Sequence, residues 1–201
     1  FLSFVSNKRA KRIAYAASFG VDTLEEAGIN DWHRKMIRPQ LKKFDAISVR
    51  EKSAEKLVGQ LKGKATTCLD PTFLLTKDDY SKLIDASSEN GADTLPIFSY
   101  LLDPTKAKEA VVKNLESIMG APAQIFQPNS GEQLPPIEQW LKAIRDSDIV
   151  VTDSFHGVAL SVINQRQFIA FGNKTRGLAR MTDLLEPIGL GGRILNEESL
   201  D

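Results

Sequence analysis

Short apolar runs alternate along the chain with stretches whose apolar residues return at helical spacing. The runs Ile13–Ser18, Asp45–Val49, Ala65–Leu69, Leu95–Leu102, Ala123–Gln127, Ile149–Val151, Gln167–Phe171 and Arg193–Leu195 are short and bounded by turn residues, and they predict strands. Between them, Ala54, Leu57, Val58 and Leu61 fall at i, i+3, i+4 and i+7, as do Ile137, Trp140, Leu141 and Ile144. Ala107, Val111, Leu115, Ile118 and Met119 mark a further helical face. Asp103 is its predicted N-cap, Pro104 its first helical residue and Gly120 its end. Trp32–Phe44 predicts one helix or two short ones, with Pro39 near a first turn. Asp78–Ile84, Val158–Ile163 and a stretch carrying Leu178, Met181, Leu184 and Leu185 complete the helices, the last stopped by Pro187-Ile-Gly189. Strand–helix alternation of this kind predicts parallel sheets covered on both faces.

One stretch interrupts the alternation. Ala86–Thr94 is small, polar and without periodicity, and it predicts a linker. The fold class is therefore α/β: a partial Rossmann-like unit over 1–85, a linker over 86–94, and a second Rossmann-like unit over 95–201. The start is apolar but short, lacks an initiator Met, and does not read as a signal peptide. It reads as the end of an element, so the first unit is expected to be incomplete.

Composition narrows the function classes. Lys+Arg and Asp+Glu both number 26, and this balance gives no electrostatic argument for nucleic acid or an anionic membrane. No apolar run reaches transmembrane length. The single cysteine, Cys68, excludes an internal disulfide or a cysteine zinc cluster, and reads as a packed core residue. No Asp/His cluster suggests a metal. A cytoplasmic protein is the expectation.

Ligands of open α/β sheets sit beyond the carboxyl ends of the strands. The turns at those ends carry the candidate chemistry. Arg50 and Glu51 follow one strand, and the arginine's planar fork suits a carboxylate or phosphate; a plain ion pair with Glu51 or another carboxylate is the competing reading. Asp70 opens an Asp-Pro turn after the next. In the second half, Ile149-Val-Val151 leads into Asp153-Ser-Phe-His-Gly157 and then a buried helix. There His156 stands at a helix mouth, and Ser154 and the free N–H groups of 156–158 are expected to cradle an anion. Asn173, Lys174 and Arg176 follow the next strand and either face a ligand or cap a helix. The other histidine, His33, reads as an exposed helix residue among Arg34, Lys35 and Arg38.

Asp148-Ile-Val-Val-Thr-Asp-Ser-Phe-His-Gly157, the run Arg176-Gly-Leu-Ala-Arg-Met-Thr-Asp-Leu-Leu185 through Leu190, Ser48-Val-Arg-Glu51 and Leu69-Asp-Pro-Thr72 together resemble the polysaccharide pyruvyl transferase family. The resemblance covers most of the chain from Ile13 onward. It implies a GT-B-like pair of Rossmann-like units and transfer of a pyruvyl group from phosphoenolpyruvate to a sugar. The product would be a pyruvate ketal on a surface polysaccharide or its lipid-linked precursor. It implies Arg50 at the donor; Ser154, Gly157, Asn173, Lys174 and Arg176 are the further candidates for donor or anion binding and Glu51 and Asp70 for the cleft, with no cofactor or metal expected. Many members have Arg-Leu-His-Gly where this chain has Ser154-Phe155-His156-Gly157, and Lys174 and Arg176 are the candidates to compensate. A glycan or lipid-linked acceptor would bring the enzyme to the inner face of the membrane.

That chemistry needs a proton at the methylene carbon, stabilisation of a departing phosphate, and removal of a hydroxyl proton. An imidazole suits the proton or the phosphate, which makes His156 the catalytic candidate, with Asp153 orienting it or acting as base. Two other readings remain open: a GT-B glycosyltransferase using a nucleotide sugar, and a non-catalytic module binding glycans or anions.

Overall fold

The computed structural model describes residues 10–87, 94–128, 135–172 and 178–197. Strands β1 (Ile13–Ala17), β2 (Ala46–Val49) and β3 (Thr66–Thr67) form a parallel sheet in the order β1-β2-β3. Strands β4 (Ile97–Tyr100), β5 (Ala123–Phe126), β6 (Ile149–Thr152), β7 (Gln167–Phe171) and β8 (Ile194–Leu195) form a second parallel sheet, ordered β5-β4-β6-β7-β8. The connecting helices are α1 (Asp31–Leu41), α2 (Lys52–Gln60), α3 (Lys77–Asp85), α4 (Lys106–Met119), α5 (Ile137–Asp146), α6 (Phe155–Ile163) and α7 (Leu178–Leu185). The class is α/β, as the alternation predicts.

Described residues up to 71, joined by 178–187, form one compact unit; those from 72 to 172, joined by 188–197, form the other. Helix α3 thus falls in the second unit, where it packs on α5, and α7 falls in the first, where it packs on α2. Residues 88–93 of the expected linker lie outside the described residues.

In the first unit α2 has two apolar sides. Ala54 and Val58 pack with Val49 of β2 and with Ala65, while Leu57 and Leu61 pack with Leu24, Ile37 and Leu41. In the second unit β4 pairs with both β5 and β6, so Phe98 lies between Gln124 and Val150. Phe98, Val150, Val151 and Phe171 are fully buried, each such side chain contributing about 1.5–3 kcal/mol. Helix α6 is apolar nearly all round and buries Phe155, Val158, Ala159 and Leu160, which explains why its sequence shows no amphipathic stripe.

Two local expectations are corrected. Helix α4 is capped by Thr105, whose hydroxyl accepts from Lys108 N, and not by Asp103. Asp103 is held instead by a carboxylate from another strand end, described below. Pro39 lies inside the last turn of a single α1 rather than at a first turn. So close to the helix end its missing N–H forgoes only one helical bond.

The strand order fixes where a ligand enters the second unit. From β4 the chain steps to β5 on one side, then returns across β4 to β6 on the other. The crevice between the carboxyl ends of β4 and β6 is therefore the topological switch point, the usual ligand site of such sheets.

Candidate active site

The turn after β6 lies at that switch point. Thr152, the last residue of β6, donates its hydroxyl to Tyr100 O at 2.7 Å and accepts from Ser154 N at 3.0 Å. Ser154 is the N-cap of α6: its Oγ accepts from Gly157 N at 3.4 Å, and its carbonyl accepts from Val158 N at 3.1 Å. This corrects the expected cradle. Gly157 and Val158 give their N–H groups to Ser154, because a serine at an N-cap satisfies its own helix first. Gly157 has a packing role. A Cβ there would lie 2.6 Å from Thr152 Oγ1, so only glycine lets the helix start this close to the strand.

His156, the second residue of α6, is exposed, while Phe155 beside it is buried with its ring 5.6 Å from the imidazole and steeply inclined to it. The turn thus presents an imidazole outward on a rigid base.

Asp153 points the other way. Its Oδ1 accepts from Leu102 N at 2.6 Å, and its Oδ2 accepts from Asp103 N at 3.0 Å and from Lys108 Nζ at 2.9 Å. Lys108 Nζ also donates to Asp103 O at 2.7 Å. The Lys108 side chain is 3% exposed and that of Asp153 0%. The carboxylate therefore locks the β6 turn to the segment leaving β4, across the switch point. Its negative charge, after burial itself, raises the pKa of the Tyr100 phenol.

The first unit gathers a second polar group at the carboxyl edge of its own sheet. Arg50 follows β2 and Asp70 follows β3; the guanidinium pairs directly with the Asp70 carboxylate, which is almost wholly buried. Glu51 is buried too. Its Oε1 accepts from Ser18 Oγ at 2.7 Å, Phe19 N at 2.9 Å and Gly20 N at 3.2 Å, fastening the loop after β1. Its Oε2 is buried without a hydrogen-bond partner among the described residues.

Arg180 of α7 joins this cluster. Its pKa is lowered, first by burial and then by the nearby Arg50 charge, while Glu51 and Asp70 act in the opposite sense. Two guanidinium groups thus lie within electrostatic reach of each other, partly withdrawn from water.

Arg50, Glu51 and Asp70 are thus brought together on the first unit, and Asp153, Ser154, His156 and Gly157 on the second. Asn173, Lys174 and Arg176 lie outside the described residues. The sequence reading missed Arg180 and Lys108, yet both carried a signal. Lys108 stands four residues before buried Val112, and Arg180 four before buried Leu184, so each shares a face with core. A cation on an apolar face calls for a partner. His33 forms a capping box at α1: its N donates to Asn30 Oδ1 at 3.0 Å, and its Nδ1 accepts from Asn30 N.

The class these features define is an α/β protein of parallel sheets with polar groups gathered at the strand carboxyl ends, where such folds hold their ligands. A family model for polysaccharide pyruvyl transferases matches residues 1–175, and the chain belongs to that family. It is a polysaccharide pyruvyl transferase in kind, with a polysaccharide as acceptor. A search of curated proteins finds no match.

Proposed function

We propose that the enzyme takes its pyruvyl group from phosphoenolpyruvate and leaves it on a sugar as a ketal. The observation that carries this reading is Arg50 at the carboxyl edge of the first sheet, paired with buried Asp70 beside buried Glu51, with the Arg180 charge within electrostatic reach. Phosphoenolpyruvate bears a carboxylate and a phosphate, and two guanidinium forks match two such groups. Asp70 holds Arg50 aligned and balances its charge until the donor arrives. In the reaction two acceptor hydroxyls add to C2 of the donor and the bond from C2 to the phosphate oxygen breaks. One hydroxyl proton ends on the methylene carbon, which becomes a methyl group, and the other leaves with the phosphate. The guanidinium groups stabilise the charge that gathers on the departing phosphate.

The experiment is calorimetric titration with phosphoenolpyruvate, run beside phosphate release on lipid-linked and free glycan acceptors. Arg50→Lys and Arg180→Lys keep the charge and remove the fork. Each is expected to weaken donor binding roughly 10- to 150-fold, the equivalent of a charge-assisted hydrogen bond of about 1.5–3 kcal/mol. Binding of a nucleoside diphosphate in place of phosphoenolpyruvate would overturn the donor assignment and favour a nucleotide-sugar transferase.

A further inference from the structure

The amino-terminal edge of the first unit's sheet, away from Arg50, holds a cavity of about 520 Å³ between the end of α1, the start of β2 and the turn before β3. Half-buried Leu41, Phe44 and Ile47 line its interior, and the exposed side chains of Lys42, Lys62 and Lys64 stand around it. Among the described lining residues Asp45 is the one carboxylate, and it is already engaged, accepting from Arg12 N at 2.7 Å. None of the three lysines has a carboxylate partner among the described residues. Arg12 adds a further cation beside the rim, its guanidinium donating to Lys43 O at 3.3 Å.

In a chain with no net charge, three unpaired ammonium groups around an apolar hollow are a local concentration of one sign. An occupant must supply negative charge at the rim and tolerate an apolar interior. We propose that this edge docks on a membrane surface rich in anionic phospholipid, with a phosphate headgroup among Lys42, Lys62 and Lys64 and glycerol or upper acyl carbons against Leu41, Phe44 and Ile47. The cavity has the volume of an ordinary small-ligand site. Lysines, as flexible point charges, suit a diffuse anionic surface better than a preorganised bidentate site, for which arginine is the better residue. Because the donor arginine lies at the opposite ends of the same strands, a surface bound here leaves that edge unobstructed.

The test is co-sedimentation of the full chain with phosphatidylcholine vesicles and with vesicles of phosphatidylcholine mixed with phosphatidylglycerol, across a range of salt. Binding reads out separately from catalysis, so the result is independent of the donor assignment. The protein is expected to bind only the mixed vesicles, and more weakly as salt rises. Substituting Lys42→Gln, Lys62→Asn and Lys64→Gln together is expected to weaken binding on the order of 100-fold, since each lysine near such a surface contributes about fivefold. Asparagine is chosen at 62 because that residue has φ +59°, which asparagine tolerates. The corresponding triple arginine variant is expected to bind as the native protein does. Equal binding to neutral vesicles, an unchanged triple variant, or loss of binding in the arginine variant would each overturn the proposal. So would capture of inorganic diphosphate at these lysines without vesicle binding, which would make the cavity a soluble-anion site.

Discussion

Replacing Lys108 with methionine tests the lock at the switch point of the second sheet. Methionine keeps most of the stem's volume and removes only the ammonium group. The Asp153 carboxylate then stays buried with two backbone donors, Leu102 N and Asp103 N, and Asp103 O loses the donor it had at 2.7 Å. Removing one partner of a buried pair costs about 3–5 kcal/mol. The two remaining donors each offset part of that, so the low end, about 3 kcal/mol, is expected. Glu197 lies 4.0 Å from the ammonium and is partly exposed, so its lost attraction adds little. Urea unfolding followed by Trp140 fluorescence in a Trp32→Phe background reports on this unit, because Trp140 packs edge-on against Tyr100 at 5.2 Å. Asp153→Asn and the double variant complete a cycle. The double variant should cost less than the sum of the singles by about 0.5–3 kcal/mol. A Lys108→Met cost below about 1 kcal/mol, or strict additivity, would refute the lock.

Two further outcomes follow from the geometry. Gly157→Ala places a methyl group 2.6 Å from Thr152 Oγ1, which cannot retreat without giving up Tyr100 O and Ser154 N. The overpacking should cost about 1–3 kcal/mol, and each kcal/mol should lower the melting midpoint by about 2–4 °C; an unchanged melt would count against the close approach. Asp79 completes the capping box of α3, whose N-cap is Thr76: it accepts from Thr76 Oγ1 and Thr76 N, and these bonds hold its pKa below the ordinary carboxylate range, the hydroxyl bond being the larger cause. A depressed folded pKa contributes stability above the unfolded value, and that contribution is lost as pH falls through the folded one. Thr76→Val should therefore move the Asp79 carboxyl titration upward in an NMR pH series, and no movement would contradict the assignment.

Most of the strand and helix pattern was legible because each element carries its own periodicity. Ile149-Val-Val151, Gln167–Phe171 and the Ala54/Leu57/Val58/Leu61 face were local facts of the sequence. The position of Arg50 at the end of a strand was legible as well, and its ion pair with a carboxylate was one of the two readings its sequence left open. What escaped was set by partners distant in sequence. Asp153 looked like a catalytic neighbour of His156, yet its bonds run to Leu102, Asp103 and Lys108, some 45 to 51 residues away. The same bonds displaced the α4 cap from Asp103 to Thr105. Arg180 was hidden because nothing in the spacing of α7 tells which sheet it will cover.

The placement of α7 has a consequence for how this protein can be divided. Its Arg180, Met181 and Leu185 serve the first compact unit, although more than a hundred residues of the second intervene. Neither unit is a continuous block of sequence. A chain cut after the second sheet's last long strand would strip the first unit of a helix and the candidate donor site of one of its two arginines. Splicing, shuffling or expressing the halves separately must carry residues 178–187 with the amino-terminal part, or the arginine pair is broken by the choice of boundary.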